Sequence, residues 1–285
     1  MIYTQLKGRL GNQMFQYAIA RGLAHRHNTT VALDPRYALS RGDGVLTRVF
    51  DLPVEPNPKL PPTKQESLIG YALWRHLGLS PKAVRETELR YYPEFETWPD
   101  PIYLRGYWQS EKYFAHIAPT IRQDYTFPAF SNDQNAEMAA RISEDLAISL
   151  HLRRGDYVAL NAHGLCDAKY YNTALTRLLD GLTGEPTVYV FSDEPEWAKA
   201  NLPLPCNKVV VDFNGPDTDF EDMRLMSLCR HNIIANSSFS WWAAWLNTHA
   251  EKRVMAPSKW LNDPALQIRD NIPESWEQIE VSLGQ

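Results

Sequence analysis

Hydrophobic residues recur along the chain in two stretches of alternating strands and helices. Near the N-terminus "IYTQL" alternates apolar with polar residues, "KGRLGNQ" forms a glycine-rich turn, and Phe15, Ile19 and Leu23 recur at helical spacing. The segment "TTVALD" predicts a second strand, so the opening is typical of a βαβ unit with parallel strands. Residues 36–100 are predicted to be irregular with a few short helices, because five prolines fall between 53 and 62. The clearest of these helices is "SLIGYALWRHLGL".

A second alternating stretch begins at Ala147 and continues almost to the C-terminus. Before it, "IYLRGY" predicts a strand and "SEKYFAHIAPTIRQDY" a helix that is broken near Pro119. After a helix in "FSNDQNAEMAARISED", helices separate the predicted strands "AISLHLR", "TVYVFSD", "KVVVDF", "NIIAN" and "RVMAP". This order is typical of a doubly wound α/β domain. We therefore expect two α/β domains with Rossmann-like elements, at 1–140 and 141–285.

Composition excludes several classes of protein. Hydrophobic residues make up 44% and charged residues 22% of the 285 residues, so the chain can bury a proper core. The net charge of −5 argues against a nucleic-acid-binding protein, whose surface is usually basic. No stretch reaches the roughly 18–20 apolar residues of a membrane helix, and the N-terminus lacks the apolar core of a signal peptide. Three scattered cysteines predict neither a disulfide framework nor a metal site, which favours a reducing, cytoplasmic setting.

The segment "HLRRGDY" at 151–157 places charge at the end of a strand that is otherwise suited to a core. One face of "AISLHLR" is apolar, and the other face carries Ser149, His151 and Arg153. Ionisable groups on a covered strand are costly unless they meet a partner or a ligand, and open α/β sheets bind ligands at the carboxyl ends of their strands. Arginine there suits a phosphate group. The alternative is an Arg153–Asp156 ion pair that closes the turn.

The letters Arg154-Gly155-Asp156 also spell an adhesion tripeptide. A receptor-binding tripeptide needs an exposed loop tip, whereas this one follows a predicted core strand. A second copy at 41–43 shows how readily the tripeptide arises by chance.

Two further segments join a strand to a helix N-terminus, where free amides and the helix dipole favour anions. In "KGRLGNQMFQYA" the turn contains Gly8 and Gly11, and the alternative is a simple tight turn. In "NSSFSWW" Ser237 and Ser238 open a helix, with N-capping and tryptophan burial as the alternative. A third strand end, "FSDE", carries Asp193, which suits the N1–H and 2-amino edge of guanine or the N-cap of the next helix.

Two other features admit a functional and a structural interpretation. Asp217-Thr218-Asp219 resembles the Asp-x-Asp of metal-dependent sugar-nucleotide enzymes, yet Thr218 and Glu221 have the spacing of a capping box. We interpret the segment as a helix start and expect no metal. Many aromatic residues fall between Tyr91 and Tyr113, where they suit core packing or a sugar-binding cleft.

Five segments together resemble a known family. They follow one another in order across nearly the whole chain: "GRLGNQMFQYA", "RGYWQSEKYF", "HLRRGDY", "FSDE" and "HNIIANSSFSWWAAWL". In this order they are similar to the bacterial α-1,2-fucosyltransferases of glycosyltransferase family 11. The resemblance implies an α/β, GT-B-like fold of two Rossmann-type domains with a nucleotide-sugar cleft between them. It also implies inverting transfer of L-fucose from GDP-fucose to O2 of a terminal β-galactoside, without a metal or other cofactor.

The resemblance also implies roles for individual residues. Arg153 is similar to the arginine that grips the diphosphate of the donor, His151 would contact the guanosine part, and Asp193 would read guanine. The remaining donor-side residues are Gly11, Asn12, Arg154, Ser237, Ser238 and Phe239, and the domain from 141 onward is the donor side. The N-terminal domain is then the acceptor side, with Asp34, Trp108 and Glu111 as candidate acceptor contacts.

The resemblance supplies no evident general base. Asp156, Asp34 and Glu111 are the candidates, and Asp156 is otherwise a support of the strand end. We expect a cytoplasmic bacterial enzyme that decorates a lipid-linked polysaccharide such as O-antigen, with peripheral contact to the inner membrane. A fucosyltransferase of another linkage, another GDP-sugar transferase and a non-catalytic sugar-binding protein stay open as alternatives.

Overall fold

The computed structural model describes residues 1–77, 79–154, 166–261 and 270–281. The described chain forms two compact units. The first contains Met1–Pro128 together with residues 270–271, and the second begins at Ala129 and also includes the C-terminal residues from Ile272. No helix within these ranges is long and apolar enough to cross a membrane.

The first unit is built on a four-stranded parallel sheet. Its strands are β1 (Ile2–Gln5), β2 (Val31–Asp34), β3 (Lys82–Arg85) and β4 (Ile102–Arg105), in the order β2-β1-β4-β3. Its helices are α1 (Leu10–His27), α2 (Arg36–Ser40), α3 (Leu68–His76) and α4 (Ala118–Asp124). Short 3₁₀ turns lie at Leu46–Arg48, Pro93–Thr97, Glu111–Tyr113 and Ala115–Ile117. Because all pairings are parallel, the segments after β1, β2 and β4 lie at one edge of the sheet.

The second unit contains a six-stranded parallel sheet. Its strands are β5 (Ala147–Leu152), β6 (Thr187–Ser192), β7 (Asn207–Val211), β8 (His231–Ile233), β9 (Val254–Pro257) and β10 (Glu277–Ile279), in the order β10-β9-β8-β5-β6-β7. Its helices are α5 (Asp133–Glu144), α6 (Ala168–Leu179), α7 (Pro195–Asn201), α8 (Asp219–Leu228) and α9 (Ser238–Leu246). Every residue of β5 is buried, as expected for an inner strand covered on both faces.

The division between the units falls between Pro128 and Ala129. Helix α5 follows this division and packs against α8, so it belongs with the second sheet. The assignment of acceptor and donor roles to 1–140 and 141–285 stays a prediction.

Three local predictions need correction. Pro119 does not break a helix, because two 3₁₀ turns precede it and α4 begins at Ala118 with the proline in its first turn, where its missing N–H is harmless. Strand β3 lies in the region predicted to be irregular, and its outer residues Lys82 and Arg85 are exposed at a sheet edge. Strand β10 was not predicted from the sequence.

Candidate functional site

His151 lies near the carboxyl end of β5 and is buried, with 4% of its surface exposed. Burial, reinforced by the nearby Arg153 cation, lowers the pKa of the imidazole to about 3, so the side chain is neutral at physiological pH. Among the described residues its Nδ1 atom has no hydrogen-bond partner. Ser149, two residues earlier on the same face, instead accepts a hydrogen bond from Asn232 at 2.7 Å. His151 is thus a buried polar group whose hydrogen-bonding capacity is suited to a ligand.

Arg153 and Arg154 meet the carboxylate of Asp193 just beyond β6. The Nε atom of Arg153 lies 3.2 Å from Oδ2 of Asp193, and the backbone N–H of Arg154 donates to Oδ1 at 3.0 Å. The contact follows from the parallel pairing of β5 with β6, which brings Leu152 opposite Ser192. Three of the predicted site residues are therefore brought together, and Asp193 orients the arginine predicted to bind the diphosphate.

Arg154 itself is fixed by residues that the sequence analysis did not identify. Its Nε atom lies 3.1 Å from Oε2 of Glu194, and its guanidinium lies 3.7 Å from the ring centroid of Trp197. The N-cap of α7 is Glu194, with Pro195 in the first turn, so Asp193 does not occupy the capping position. Arg154 therefore supports the strand end, while Asp193 turns toward β5.

The start of α9 completes this edge of the second sheet. Ser237 is the N-cap and accepts a hydrogen bond from the backbone N–H of Phe239 at 3.3 Å, which confirms the predicted capping by serine. The Phe239 ring lies 5.8 Å from the imidazole of His151, measured between centroids. Because β8 pairs in parallel with β5, the helix that follows β8 begins beside the end of β5. A helix N-terminus, a neutral histidine and an arginine therefore share one edge.

In the first unit the glycine-rich turn before α1 is held by two buried glutamines. Gln13 donates to the carbonyl oxygens of Gly8 and Gly44 at 2.8 and 2.6 Å, and Gln16 accepts from the backbone N–H of Lys7 at 2.9 Å. Gly8 has φ of +74°, and a Cβ there would lie 2.7 Å from Nδ2 of Asn12. The turn is therefore built to a fixed shape around Asn12.

Of the predicted residues at this turn, Gly11 is buried inside the first turn of α1. The Oδ1 atom of Asn12 accepts a hydrogen bond from Gln109 at 2.8 Å, so the loop after β4 lies against the turn after β1. A donor-binding role for Gly11 and Asn12 stays a prediction.

Glu86 is a half-buried carboxylate at the same edge of the first sheet. It accepts hydrogen bonds from the backbone N–H groups of Tyr107 and Trp108, at 2.6 and 3.0 Å. Burial raises its pKa, although these two hydrogen bonds and the Lys7 cation oppose the rise. Lys7, whose pKa burial lowers, places its Nζ 3.6 Å from the ring centroid of Tyr107. Glu86 thus fixes the loop that follows β4, a contact with no local signal in the sequence.

The substitution Glu86→Gln is expected to lower the free energy of unfolding by about 1–3 kcal/mol, because an amide nitrogen cannot accept the second backbone hydrogen bond. Urea unfolding followed by circular dichroism measures the change. Glu94→Gln is the matched control, since Glu94 is exposed and its removal should leave the unfolding midpoint unchanged. Equal unfolding midpoints for the two variants would contradict the stabilising role of Glu86 in the loop after β4.

Two of the three candidate acceptor contacts, Asp34 and Trp108, are placed differently from expectation, and the role of Glu111 stays a prediction. Asp34 is buried and accepts hydrogen bonds from the guanidinium and backbone N–H of Arg36 and from the hydroxyl of Tyr103, so it is not a suitable base. Trp108 is fully buried and cannot stack on a sugar. Glu111 is half-buried at the start of a 3₁₀ turn. Asp156 lies outside the described residues.

Several of the aromatic residues between Tyr91 and Tyr113 form core, and Phe95, Trp108 and Tyr113 are fully buried. The Trp108 ring contacts those of Tyr92, Trp98 and Tyr113 at centroid distances of 5.9, 5.6 and 5.9 Å. Phe95 packs on Tyr113 at 5.1 Å. Core packing therefore accounts for the buried rings, while Tyr91, Tyr92, Trp98 and Tyr107 are half-buried.

The acidic segment 217–222 begins α8, as predicted, but without the capping box. Thr218 is the N-cap, yet the Glu221 carboxylate accepts from the backbone N–H of Ser131 at 2.8 Å and pairs with Arg224 at 3.1 Å. Glu221 is fully buried, because α5 and the segment before it cover this end of α8. Within the described ranges no group of three or more His, Cys, Asp or Glu side chains could hold a metal ion.

Burial beside Asp219 and Glu221 raises the pKa of Asp222 to about 7, against a hydrogen bond from Asn214 that lowers it. The folded state therefore retains a proton that the unfolded state releases near pH 4, and stability falls as the pH rises from about 4 to 7. Asp222→Asn should raise the free energy of unfolding by about 2 kcal/mol at pH 8 and change it little at pH 4. Urea unfolding at both pH values measures this, with Asp217→Asn as an exposed control. An equal increase in the free energy of unfolding at pH 4 and pH 8 would contradict the raised pKa of Asp222.

The architecture and the sequence agree with one enzyme family. A sequence model described as "Glycosyl transferase family 11" matches residues 85–280, more than half of the chain. The chain belongs to glycosyltransferase family 11. It is therefore a glycosyltransferase, and the sequence-based recognition of the family is confirmed.

Several known proteins align with most of this chain. An α-1,2-colitosyltransferase of Escherichia coli is 32% identical, over 98% of this chain and 99% of its own. The O-antigen biosynthesis glycosyltransferase WbnK of Escherichia coli is 31% identical, over 91% and 94% of the two chains. Galactoside α-(1,2)-fucosyltransferase 1 of Rattus norvegicus is 28% identical, over 84% of this chain and 61% of its own.

A solved structure supports the fold. A variant of FUT1 from Arabidopsis thaliana in complex with GDP matches with a TM-score of 0.50 at 13% identity, over 90% of this chain and 70% of that one. The predicted fold class, α/β and GT-B-like with two Rossmann-type units, is confirmed by this likeness and by the two parallel sheets.

Proposed function

We propose that this protein transfers L-fucose from GDP-fucose to the 2-hydroxyl of a terminal β-galactoside, with inversion at the anomeric carbon. The observation that carries the proposal is the grouping of Arg153, neutral His151 and the α9 N-terminus at the carboxyl edge of the second sheet. This grouping suits a nucleoside diphosphate, because a cation and a helix N-terminus attract anions. The linkage is supported by the α-1,2 specificity in the names of the colitosyl- and fucosyltransferase relatives.

In this reaction the acceptor oxygen bonds to C1 of fucose while the bond from C1 to the phosphate oxygen breaks. GDP leaves with the electron pair and gains about one negative charge. Arg153 neutralises that charge, and Asp193 holds the guanidinium in place before the reaction. Preorganised donors of this kind are commonly worth about 3–4 kcal/mol of barrier.

His151 binds the guanosine part as a neutral group. A neutral imidazole offers one N–H donor and one acceptor nitrogen, and Nδ1 has no partner among the described residues. The low pKa prevents a second positive charge next to Arg153 across the physiological pH range. His151 therefore contributes hydrogen bonding, while Arg153 supplies the charge.

The acceptor hydroxyl loses its proton as the new bond forms. Asp34 is excluded as the base by its hydrogen bonds to Arg36 and Tyr103. A deoxy sugar supports a loose, cation-like transition state, in which departure of GDP contributes more to the rate than a strong base does. We therefore propose a dissociative inversion in which a weak base or water accepts the proton.

Colitosyl transfer is the second candidate, because the colitosyltransferase aligns with 98% of this chain at 32% identity. Colitose lacks the 3-hydroxyl of fucose, so the two donors differ at one position of the ring. A site that hydrogen-bonds the 3-hydroxyl would reject the deoxygenated donor strongly, whereas an apolar site would accept both.

The deciding experiment incubates the protein with lactose and either GDP-fucose or GDP-colitose, with and without EDTA. We expect GDP release and a 2-O-fucosylated product that EDTA does not reduce. A preference for GDP-colitose would favour the second candidate, and another linkage in the product would replace the first. Binding without turnover would instead indicate a sugar-binding protein. Loss of activity in EDTA would favour the alternative interpretation of Asp217 and Asp219 as metal ligands.

A further inference from the structure

Helix α3 presents its apolar side chains outward. Ile69 and Leu68 have 76% and 71% of their surface exposed, and Leu77, just after the helix, has 66% exposed. Leu73 and Leu79 are also exposed. Ile69, Leu73 and Leu77 are spaced by four residues and therefore follow one side of the helix. These five residues are called the apolar face of α3 below.

One residue, Trp74, anchors α3 to the sheet of the first unit. Trp74 is buried, its ring packs edge-on against Tyr103 at 5.3 Å, and its indole N–H donates to the carbonyl oxygen of Pro81 at 2.9 Å. Ser67 caps the N-terminus by accepting a hydrogen bond from Gly70. The helix that exposes the apolar face is therefore capped at its N-terminus and held in its orientation by Trp74.

The chain segment that carries the apolar face is cationic, although the whole chain carries a net charge of −5. Residues 64–85 contain four cations and a single carboxylate, Glu66, and Glu66 pairs with Arg36 from outside this range. The four cations are exposed: Lys64, Arg75, Lys82 and Arg85. The local charge therefore has the opposite sign to that of the molecule.

We propose that the apolar face of α3 docks on an anionic phospholipid surface, with its leucine and isoleucine side chains at the acyl boundary and the four cations among the headgroups. Exposed apolar side chains next to basic residues are the features of helices that lie in a membrane interface. A second copy of the chain is a poorer occupant, because two-fold pairing would bring the cations of both copies together. This proposal does not depend on which sugar the enzyme transfers.

Vesicle co-sedimentation of the full chain tests the proposal, with phosphatidylcholine alone and with phosphatidylcholine mixed with phosphatidylglycerol. We expect binding to the mixed vesicles only, weakened by high salt. The double variant Ile69→Ser with Leu73→Ser should bind the mixed vesicles at least about tenfold more weakly. The variant Arg75→Glu with Lys82→Glu, which leaves the apolar residues in place, should lose binding to a similar degree.

Leu228→Ser is the matched control, because Leu228 is an exposed leucine of the second unit and its change should leave vesicle binding unaltered. Transfer to a soluble acceptor and the far-ultraviolet spectrum should be unchanged in all variants, which separates docking from folding. Wild-type protein that stays in the supernatant, or equal binding of the apolar-face variants, would overturn the proposal. So would a wild-type dimer that becomes monomeric in the Ile69→Ser and Leu73→Ser variant, since a second copy would then cover the face.

Discussion

Arg153→Ala is expected to lower kcat/KM for fucosyl transfer by about 10²–10³-fold while the protein stays folded. The arginine lies at the carboxyl edge of the second sheet and is held by Asp193, so its charge is in place before GDP begins to leave. Its loss should reduce kcat more than it raises KM for the donor, because the charge on GDP develops as the bond breaks. Initial rates of GDP release at varied GDP-fucose concentration measure both parameters.

Two comparison variants make this result specific. Arg153→Lys keeps the charge but loses the planar fork of donors, so we expect a rate between those of the wild type and the alanine variant. Arg230→Ala removes an exposed cation of the same unit, paired with Glu251 at 3.2 Å, and should leave turnover unchanged. Near-normal turnover of folded Arg153→Ala would refute the proposed role of the arginine.

The alternation of strands and helices predicted most of the fold, because buried parallel strands have strong sequence patterns. Every residue of β5 is buried, and this strand was predicted directly from "AISLHLR". The edge strands β3 and β10 have no such pattern, since each has exposed side chains. Proline was misread at Pro119, because the residue is equally compatible with the interior of a broken helix and with the first turn of a new one.

The candidate site was predictable where single strand ends carry the chemistry. His151, Arg153 and Ser237 were found in this way, since each ends a strand or begins the helix after one. Contacts between distant segments were not predictable: Glu86 reaches the loop after β4, and Glu221 reaches Ser131 instead of capping its own helix. These partners depend on which strands are neighbours, and one sequence does not specify that order.

Tertiary packing also decides which polar and aromatic residues are available. Asp34 suited an acceptor contact in sequence, but Arg36 two residues later binds its carboxylate. Trp108 suited a sugar platform, but its ring is enclosed by neighbouring aromatic side chains. Burial, rather than residue type, therefore removes both from the candidate site.

Asp193→Asn is expected to reduce kcat by about 10²-fold, because the amide nitrogen would face a guanidinium N–H that now meets a carboxylate oxygen at 3.2 Å. The loss should not add to that of Arg153→Ala: the double variant should be about as slow as Arg153→Ala alone, since both changes remove one positioned charge. Measuring kcat for the wild type, the two single variants and the double variant gives the coupling free energy between Arg153 and Asp193. Full additivity would contradict the positioning role.

The same variant tests the other role that the sequence suggested for Asp193, the reading of guanine. An inosine diphosphate donor lacks the 2-amino group that a carboxylate would bind. If Asp193 reads guanine, the wild type should discriminate against this donor and Asp193→Asn should lose that discrimination. Both carboxylate oxygens are already engaged: Oδ2 lies 3.2 Å from Nε of Arg153, and Oδ1 accepts from the backbone N–H of Arg154 at 3.0 Å. We therefore expect the ratio of the two donors to be the same in both proteins. If Asp193→Asn changes the ratio of activity with the two donors, Asp193 contacts the guanine base. Another group would then have to hold Arg153.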